Sequence, residues 1–149
     1  MGQYESGGAT TAPTATADKM YCQLWNTASS ERLKLRELGF TNTVATACKI
    51  ALKRTTARGT NTTTVAGTPI DSADGAATGT LDLTYSGDPT VSGNYLRRAH
   101  LAAVIGAGIS WAWWNGGGLV IPTGNNGLAV VVPTAVAGQV LEAWAVWEE

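Results

Sequence analysis

Short segments in which apolar and polar residues alternate are the feature that most restricts the fold of this chain. Two leucines alternate with three basic residues in Arg32–Arg36, a period of two that predicts a β-strand with one buried face. Cys48–Lys53 alternates in the same way, and a further segment places Met20, Cys22 and Leu24 on one face. Such segments cannot bury their apolar faces alone, so we expect them to pair into sheets that pack together.

Turns rich in glycine and proline separate these segments and indicate the number of strands. Further strands are predicted at 80–85, 94–101, 108–115, 118–121, 127–132 and 139–148, with turns at 116–118, 122–127 and 133–138. A helix over 29–38, ended by Gly39, is an alternative for one segment, but its apolar positions fit a helical stripe poorly. About eight or nine strands predict an all-β chain, an antiparallel β-sandwich with jelly-roll-like connectivity.

Two segments lack this alternation. Residues 1–18 consist mostly of Gly, Ala, Thr, Ser and Pro, which is typical of a flexible tail. They are interpreted either as a disordered tail or as an extended N-terminal arm that becomes ordered against a neighbouring subunit. Residues 55–79 are predicted to form a long loop rich in Thr, Gly and Asp, so residues 19–149 are expected to form a single β-sandwich domain.

The balance of charge excludes two classes of partner. The 149 residues include 10 basic and 11 acidic side chains, whereas a nucleic-acid-binding protein normally has a clear basic excess. No apolar run reaches the length of a membrane span, and the first residues lack the basic and apolar regions of a secretory signal. We therefore expect neither a nucleic-acid partner nor a membrane.

The charge is also unevenly distributed along the chain. No Lys or Arg follows Arg98, which predicts that this part is buried, either within the domain or against a neighbour. The segments 128–132 and 139–148 are apolar on both faces, which predicts a closed homo-oligomer, with a trimer as the expected state. The residues assigned to this subunit interface are Trp111, Trp113, Leu128, Val130, Val132, Trp144 and Trp147.

Motifs for catalysis and cofactor binding fail on inspection. Val104–Ser110 begins like a dinucleotide-binding fingerprint, but Trp111 stands where the third glycine is needed and no βαβ unit surrounds it. His100 is the only histidine and no serine lies in a Gly-x-Ser-x-Gly elbow. We expect no enzymatic activity, no catalytic residues and no cofactor.

Cysteines and acidic residues give no clear metal site either. Cys22 and Cys48 are predicted to be buried free thiols, although spacing alone does not exclude a disulfide. A single histidine and two distant cysteines do not match a zinc site. The acidic residues from Asp71 to Asp88 match no calcium-loop pattern and are equally explained as solvated loop residues. No bound metal is therefore predicted.

The chain contains six tryptophans. Each can bury roughly 150–250 Å² of surface, so core packing is the default role for most of them. A tryptophan exposed on a sandwich face would instead indicate sugar stacking. For this reason a tail-associated receptor-binding or carbohydrate-binding β-sandwich module is the alternative function.

Several short motifs give the chain a resemblance to a known family. They are Tyr95–Arg98, Gly106–Gly108 followed by Trp111, Gly118–Pro122, Gly127–Leu128 and Trp144–Glu149. In these motifs residues 20–149 resemble the capsid decoration or cement proteins of tailed bacteriophages. The resemblance implies a non-enzymatic virion protein, made in the host cytoplasm, that binds the major capsid protein on the outer capsid surface, commonly as a trimer with an extended arm.

On this resemblance, two groups of residues are expected to contact the capsid. One is the N-terminal arm and the other is a basic cluster, which an ordinary solvated face would also explain. The expected contact residues are Gln3, Tyr4, Thr10, Thr11, Pro13, Arg32, Lys34, Arg36, Lys53 and Arg54.

Overall fold

The computed structural model describes residues 1–28, 30–134 and 138–149. These residues form twelve β-strands and no helix, so the predicted all-β fold is confirmed. The strands are β1 (Gln3–Ala9), β2 (Met20–Asn26), β3 (Leu33–Asn42), β4 (Cys48–Ala57), β5 (Thr60–Ala66), β6 (Thr68–Pro69), β7 (Gly79–Gly87), β8 (Thr90–Leu101), β9 (Gly108–Ala112), β10 (Leu119–Ile121), β11 (Asn126–Val131) and β12 (Leu141–Glu148). The predicted turn at 133–138 lies partly outside the described residues.

The strands form two antiparallel sheets of six strands each. In sheet A the order is β10-β3-β12-β1-β6, and β9 pairs with β3 on the same side as β10. In sheet B the order is β5-β7-β2-β11-β4-β8. The two sheets pack face to face, which confirms the predicted β-sandwich, while the jelly-roll connectivity stays a prediction.

The core lies between the sheets and follows the predicted alternation. Leu33 and Leu35 of β3 are fully buried, as are Ile50 and Leu52 of β4. Each such side chain contributes about 1.5–3 kcal/mol of transfer free energy. Residues 33–38 therefore belong to a strand rather than to the alternative helix, because Leu33 and Leu35 at period two face one side.

Met20 departs from the predicted face. Val130 of β11 pairs with Cys22, but the next residue, Val131, pairs with Met20, so β2 has one extra residue at this bulge. The extra residue turns Met20 to the outer side of sheet B, while Cys22 and Leu24 stay in the main core. A period-two pattern carries no signal for such a bulge.

A second, smaller apolar cluster covers the outer side of sheet B. It consists of Met20, Ala51, Ala129 and Val131, with Tyr85, Val91 and Tyr95 packed against it. The second apolar face of β11 is therefore covered by side chains of the same chain, where the sequence predicted a neighbouring subunit.

The N-terminal segment is part of the sandwich and not a free arm. β1 lies between β12 and β6 in sheet A, and Tyr4 is buried with its ring stacked on Trp147 at a centroid distance of 6.2 Å. Beyond β1, Thr10 N donates to Leu141 O at 2.8 Å, and Asp18 N donates to Val132 O at 2.8 Å. The expected flexible arm at 1–18 is thus corrected, because partner strands impose order that its own composition does not indicate.

The expected long loop at 55–79 is corrected in the same way, because it contains β5 and β6. Asp82 of β7 is fully buried beside β5 and accepts hydrogen bonds from Arg58 Nη2 at 2.7 Å and Arg58 Nε at 3.0 Å. Its carboxylate also accepts from Gln23 Nε2 and Thr64 Oγ1, both at 2.8 Å. These contacts satisfy the buried charge and hold the connection between β4 and β5 on sheet B.

The C-terminal Glu149 joins two parts of the molecule. Its carboxylate accepts hydrogen bonds from Thr78 N at 2.8 Å, Gly79 N at 2.8 Å and Trp147 Nε1 at 2.9 Å. Partial burial acts to raise the pKa of this carboxyl, but the hydrogen bonds to the charged form outweigh it, so the pKa lies below its ordinary value.

This lowered pKa makes stability depend on pH. The contribution of Glu149 is complete above the ordinary glutamate pKa and is lost as the pH falls through the lowered folded-state value. We expect Glu149→Gln to reduce the free energy of unfolding at pH 7 and to flatten its decline in acid, measured by urea titration at several pH values. Glu142→Gln, on the exposed side of β12, the strand that Glu149 follows, is the control. An unchanged acid profile for Glu149→Gln would contradict this assignment.

The position of β1 inside sheet A also makes a prediction. Deleting residues 1–9 removes Tyr4 from the core and leaves β12 without one neighbour, so we expect cooperative thermal unfolding to be lost in circular dichroism. A chain lacking only the exposed Met1 is expected to melt like the full chain. An unchanged melting curve for the longer deletion would show that β1 is dispensable.

Candidate functional site

One end of the sandwich carries a group of exposed aliphatic side chains. Val44 lies between β3 and β4, Val104 and Ile105 lie between β8 and β9, and Val140 lies just before β12. We call these four residues the apolar end. They are half of the eight large hydrophobic residues exposed in the described part of the chain, and Ile105 is the most exposed of the four, at 68%.

A buried asparagine brings these loops together. Asn42 is the last residue of β3. Its backbone pairs with the segment between β8 and β9 through Asn42 N to Ala107 O at 2.8 Å and Gly106 N to Asn42 O at 2.9 Å. Its side-chain Nδ2 donates to Ala102 O at 2.6 Å. Asn42 therefore holds the segment 102–107 at both of its ends.

Gln139 and Thr43 tie the remaining segments to the same centre. Gln139 Nε2 donates to Asn42 Oδ1 at 2.6 Å and to Thr46 O at 2.7 Å. Thr43 Oγ1 donates to Val140 O at 2.6 Å. These bonds fix the backbone of all three segments, so the apolar side chains are held outward on an ordered frame rather than on free loops.

The surroundings of the apolar end favour a protein contact over a catalytic one. The segments 43–47 and 102–107 contain no charged residue. Beside them, Lys49 of β4 pairs with His100 of β8, and together with Arg98 and Pro133 they line a depression of about 300 Å³. Grouped exposed apolar side chains with a polar border are typical of interaction sites.

The residues predicted for a subunit interface are mostly internal. Trp111 and Trp147 are buried in the core, with Phe40 edge-on to Trp111 at 5.9 Å. The core also contains three predicted interface residues from β11 and the position after it, namely Leu128, Val130 and Val132. These five side chains face the opposite sheet, so they cannot form the predicted surface.

Two of the predicted interface tryptophans are only partly buried. Trp113 packs at the edge of the core, where the guanidinium of Arg97 lies 5.2 Å from its ring centroid. Trp144 lies on the outer face of sheet A, since its neighbours Ala143 and Ala145 point inward.

The N-terminal residues predicted to contact the capsid are largely inaccessible. Tyr4, Thr10 and Pro13 are buried, while Gln3 and Thr11 are partly exposed. They belong to β1 and to the segment that follows it across the sandwich. These residues therefore do not form a free arm that could bind a capsid.

The predicted basic cluster is divided between the two sheets. Arg32 and Lys34 lie at the start of β3 with Arg36, which pairs with Glu148 at 2.5 Å. The other two residues belong to β4 in sheet B: Lys53 pairs with Asp18 at 2.9 Å and Arg54 Nη1 donates to Val120 O at 2.9 Å. These partners explain the charges of Arg36, Lys53 and Arg54. Because Val120 pairs with Lys34, Arg54 reaches the edge of sheet A beside the bases of β3, whereas Lys53 stays on sheet B.

The described residues give no group of metal-binding side chains. His100 is exposed on β8, and no group of three or more His, Cys, Asp or Glu residues lies close enough to hold a metal within the described ranges. Of the acidic residues from 71 to 88, Asp82 is bound by Arg58 and Asp88 pairs with Lys19 at 2.5 Å.

Both cysteines are free and buried, as predicted. Burial raises the pKa of the Cys22 and Cys48 thiols, which makes them poor nucleophiles. In the part of the chain that the structure describes, no helix is long and apolar enough to cross a membrane.

Comparisons with known proteins add no assignment. No protein-family model, no curated protein and no solved structure matches this chain.

The apolar end could not have been located from the sequence. Val104 and Ile105 stand out there only as part of a false dinucleotide fingerprint. Their exposure depends on the Asn42 contacts, which join loops that are distant along the chain. The one available signal is the absence of charge in 43–47 and 102–107.

The central position of Asn42 is testable. In Asn42→Ala, Ala102 O and Gln139 Nε2 lose the hydrogen bonds that they make to the Asn42 side chain, so we expect the free energy of unfolding to fall by about 1–3 kcal/mol. Amide exchange in 102–107 is expected to accelerate. Asn94→Ala, at an exposed position of β8, is the control and should change neither quantity. Equal stability of the two variants would rule out this role for Asn42.

Proposed function

We propose that this chain is a structural virion protein, a decoration or cement protein that binds the outer surface of a phage capsid as a homo-oligomer and stabilises it. The apolar end is the observation that carries the proposal. It is an ordered, exposed apolar surface on a sandwich whose own core is complete. The resemblance of residues 20–149 to capsid decoration proteins supports the same role.

The chemistry of attachment follows from the apolar end. Burying a valine or isoleucine side chain against a protein surface contributes about 1.5–3 kcal/mol, and the fixed backbone reduces the entropy lost on binding. Lys49, Arg98 and His100 border this surface and suit acidic groups on the major capsid protein. Such a contact requires no catalytic residue and no cofactor.

Many copies make a modest contact effective. Each bound protein favours the assembled shell by mass action, since it binds the closed capsid and not the separated subunits. An oligomer, for which we propose a trimer, joins several capsid subunits at once and gains avidity from its linked contacts. The contacts must break before the shell can open under internal DNA pressure.

The proposal predicts the effect of a charge at the apolar end. Ile105→Asp is expected to weaken binding to purified capsids by at least about tenfold in co-sedimentation, because a carboxylate would have to be desolvated at the contact. Ile70→Asp is the matched control, since Ile70 is also exposed, at 52%, but follows β6 in sheet A. Both variants are expected to keep wild-type stability.

Two results would overturn the proposal. One is equal binding by Ile105→Asp and Ile70→Asp, which would remove the apolar end from the contact. The other is the absence of the chain from purified virions in quantitative mass spectrometry. If light scattering shows that the free protein is a monomer at micromolar concentration, the oligomer is no longer part of the proposal.

A further inference from the structure

The outer face of sheet A carries a tryptophan that is fixed in an unusual way. The register places Gly7 of β1, Trp144 of β12 and Gly39 of β3 side by side on three adjacent strands. Only the central residue of this row has a side chain. Its indole lies over Gly39, where an added Cβ would stand 1.9 Å from Cζ2 and 2.1 Å from Cε2 of the ring.

The ring is also held at its edge. Trp144 Nε1 lies 3.4 Å from Glu37 Oε1, and the same oxygen accepts a hydrogen bond from Ser110 Oγ at 2.7 Å. Because Gly39 supports one face of the indole, the partly exposed ring presents its other face outward. The result is a flat aromatic surface whose orientation is set before any ligand binds.

A depression lies on the side of the row opposite Gly39. It measures about 340 Å³ and is lined by Glu5, Ser6, Gly7, Thr68, Trp144 and Val146. Gly7 leaves its floor open, Glu5 is exposed at its rim, and Thr68 adds a hydroxyl from β6. Aromatic, carboxylate and hydroxyl groups therefore line one small concave site, at the lower end of the usual size of ligand pockets.

We infer that this site binds a neutral oligosaccharide, with one pyranose ring stacked on Trp144 and the hydroxyls of the next ring hydrogen-bonded to Glu5 and Thr68. The axial C–H groups of a pyranose suit the negative face of an indole. Carboxylate and hydroxyl oxygens accept hydrogen bonds from sugar hydroxyls.

The charges around the site select the class of sugar. Glu5 and Glu142 are exposed on this face, and Arg36 is already paired with Glu148. An acidic sugar would meet carboxylates without a free cation among the lining residues, so a neutral sugar is favoured. A protein partner is less suited, because the apolar residues that line the depression are only Trp144, Ala145 and Val146, far below a standard interface.

This inference is independent of capsid attachment, because it uses a sheet face and not the apolar end. A decoration protein with such a site would hold surface glycans to the particle.

The test uses saturation-transfer NMR of the full chain with cellobiose, maltose and lactose as probes. We expect transfer to ring protons of at least one disaccharide in the wild type. Trp144→Ala is expected to weaken that binding by at least about tenfold. Trp114→Ala is the matched control, because Trp114 is 49% exposed but does not line the depression. It lies between β9 and β10, just before Gly116–Gly118, in which every φ is positive.

A second variant covers the case in which Trp144→Ala fails to fold. Glu5→Ala changes an exposed side chain and leaves the indole in place, so it should fold normally and bind the same disaccharide several-fold more weakly. No transfer to any of the three probes, or equal losses in Trp114→Ala and Trp144→Ala, would overturn the site. The wild-type protein could instead be an oligomer that binds no sugar and that Trp144→Ala dissociates. That result would identify Trp144 as a subunit contact and would also overturn the sugar site.

Discussion

The pairing of β1 with β12 is the interaction on which the rest of the sandwich depends. It joins the beginning of the chain to its end along seven residue pairs, from Gln3 with Glu148 to Ala9 with Glu142. Through it Tyr4 reaches Trp147, and Gly2 and Glu149 exchange backbone hydrogen bonds at 3.1 Å. Because this pairing joins segments that lie far apart along the chain, its entropic cost must be offset by core contacts that form together with it.

The sequence predicts strands well where a strand carries its own pattern. Leu33 and Leu35 in β3, and Ile50 and Leu52 in β4, alternate because each has one buried face. β1 and β5 carry no such pattern, since Gly7, Gly8 and the threonines of β5 have little preference for the core. Their strands form because neighbouring strands supply partners, and a local pattern contains no information about those partners.

The candidate sites illustrate the same limit. Apolar residues on both faces of β11 predict that the second face packs against a neighbouring subunit, but Ala129 and Val131 pack against Tyr85 and Tyr95 of the same chain. A sequence shows that a face must be covered and does not show what covers it. Similarly, Arg36 and Lys53 are close in sequence to other bases, yet they lie on different sheets.

Because the core is complete without them, the apolar side chains that remain exposed need a separate explanation. If the core of the sandwich were incomplete, Val104 and Ile105 could pack inward at little cost in free energy. Instead, Asn42 uses its buried hydrogen bonds to hold their loop outward, and Gly39 gives the Trp144 ring a support on the opposite side from solvent. Each exposed group is thus fixed by a residue of β3. One strand therefore organises both the end of the molecule, where flat protein contacts suit aliphatic side chains, and its outer face, where a single ring beside carboxylates suits a smaller and more polar ligand.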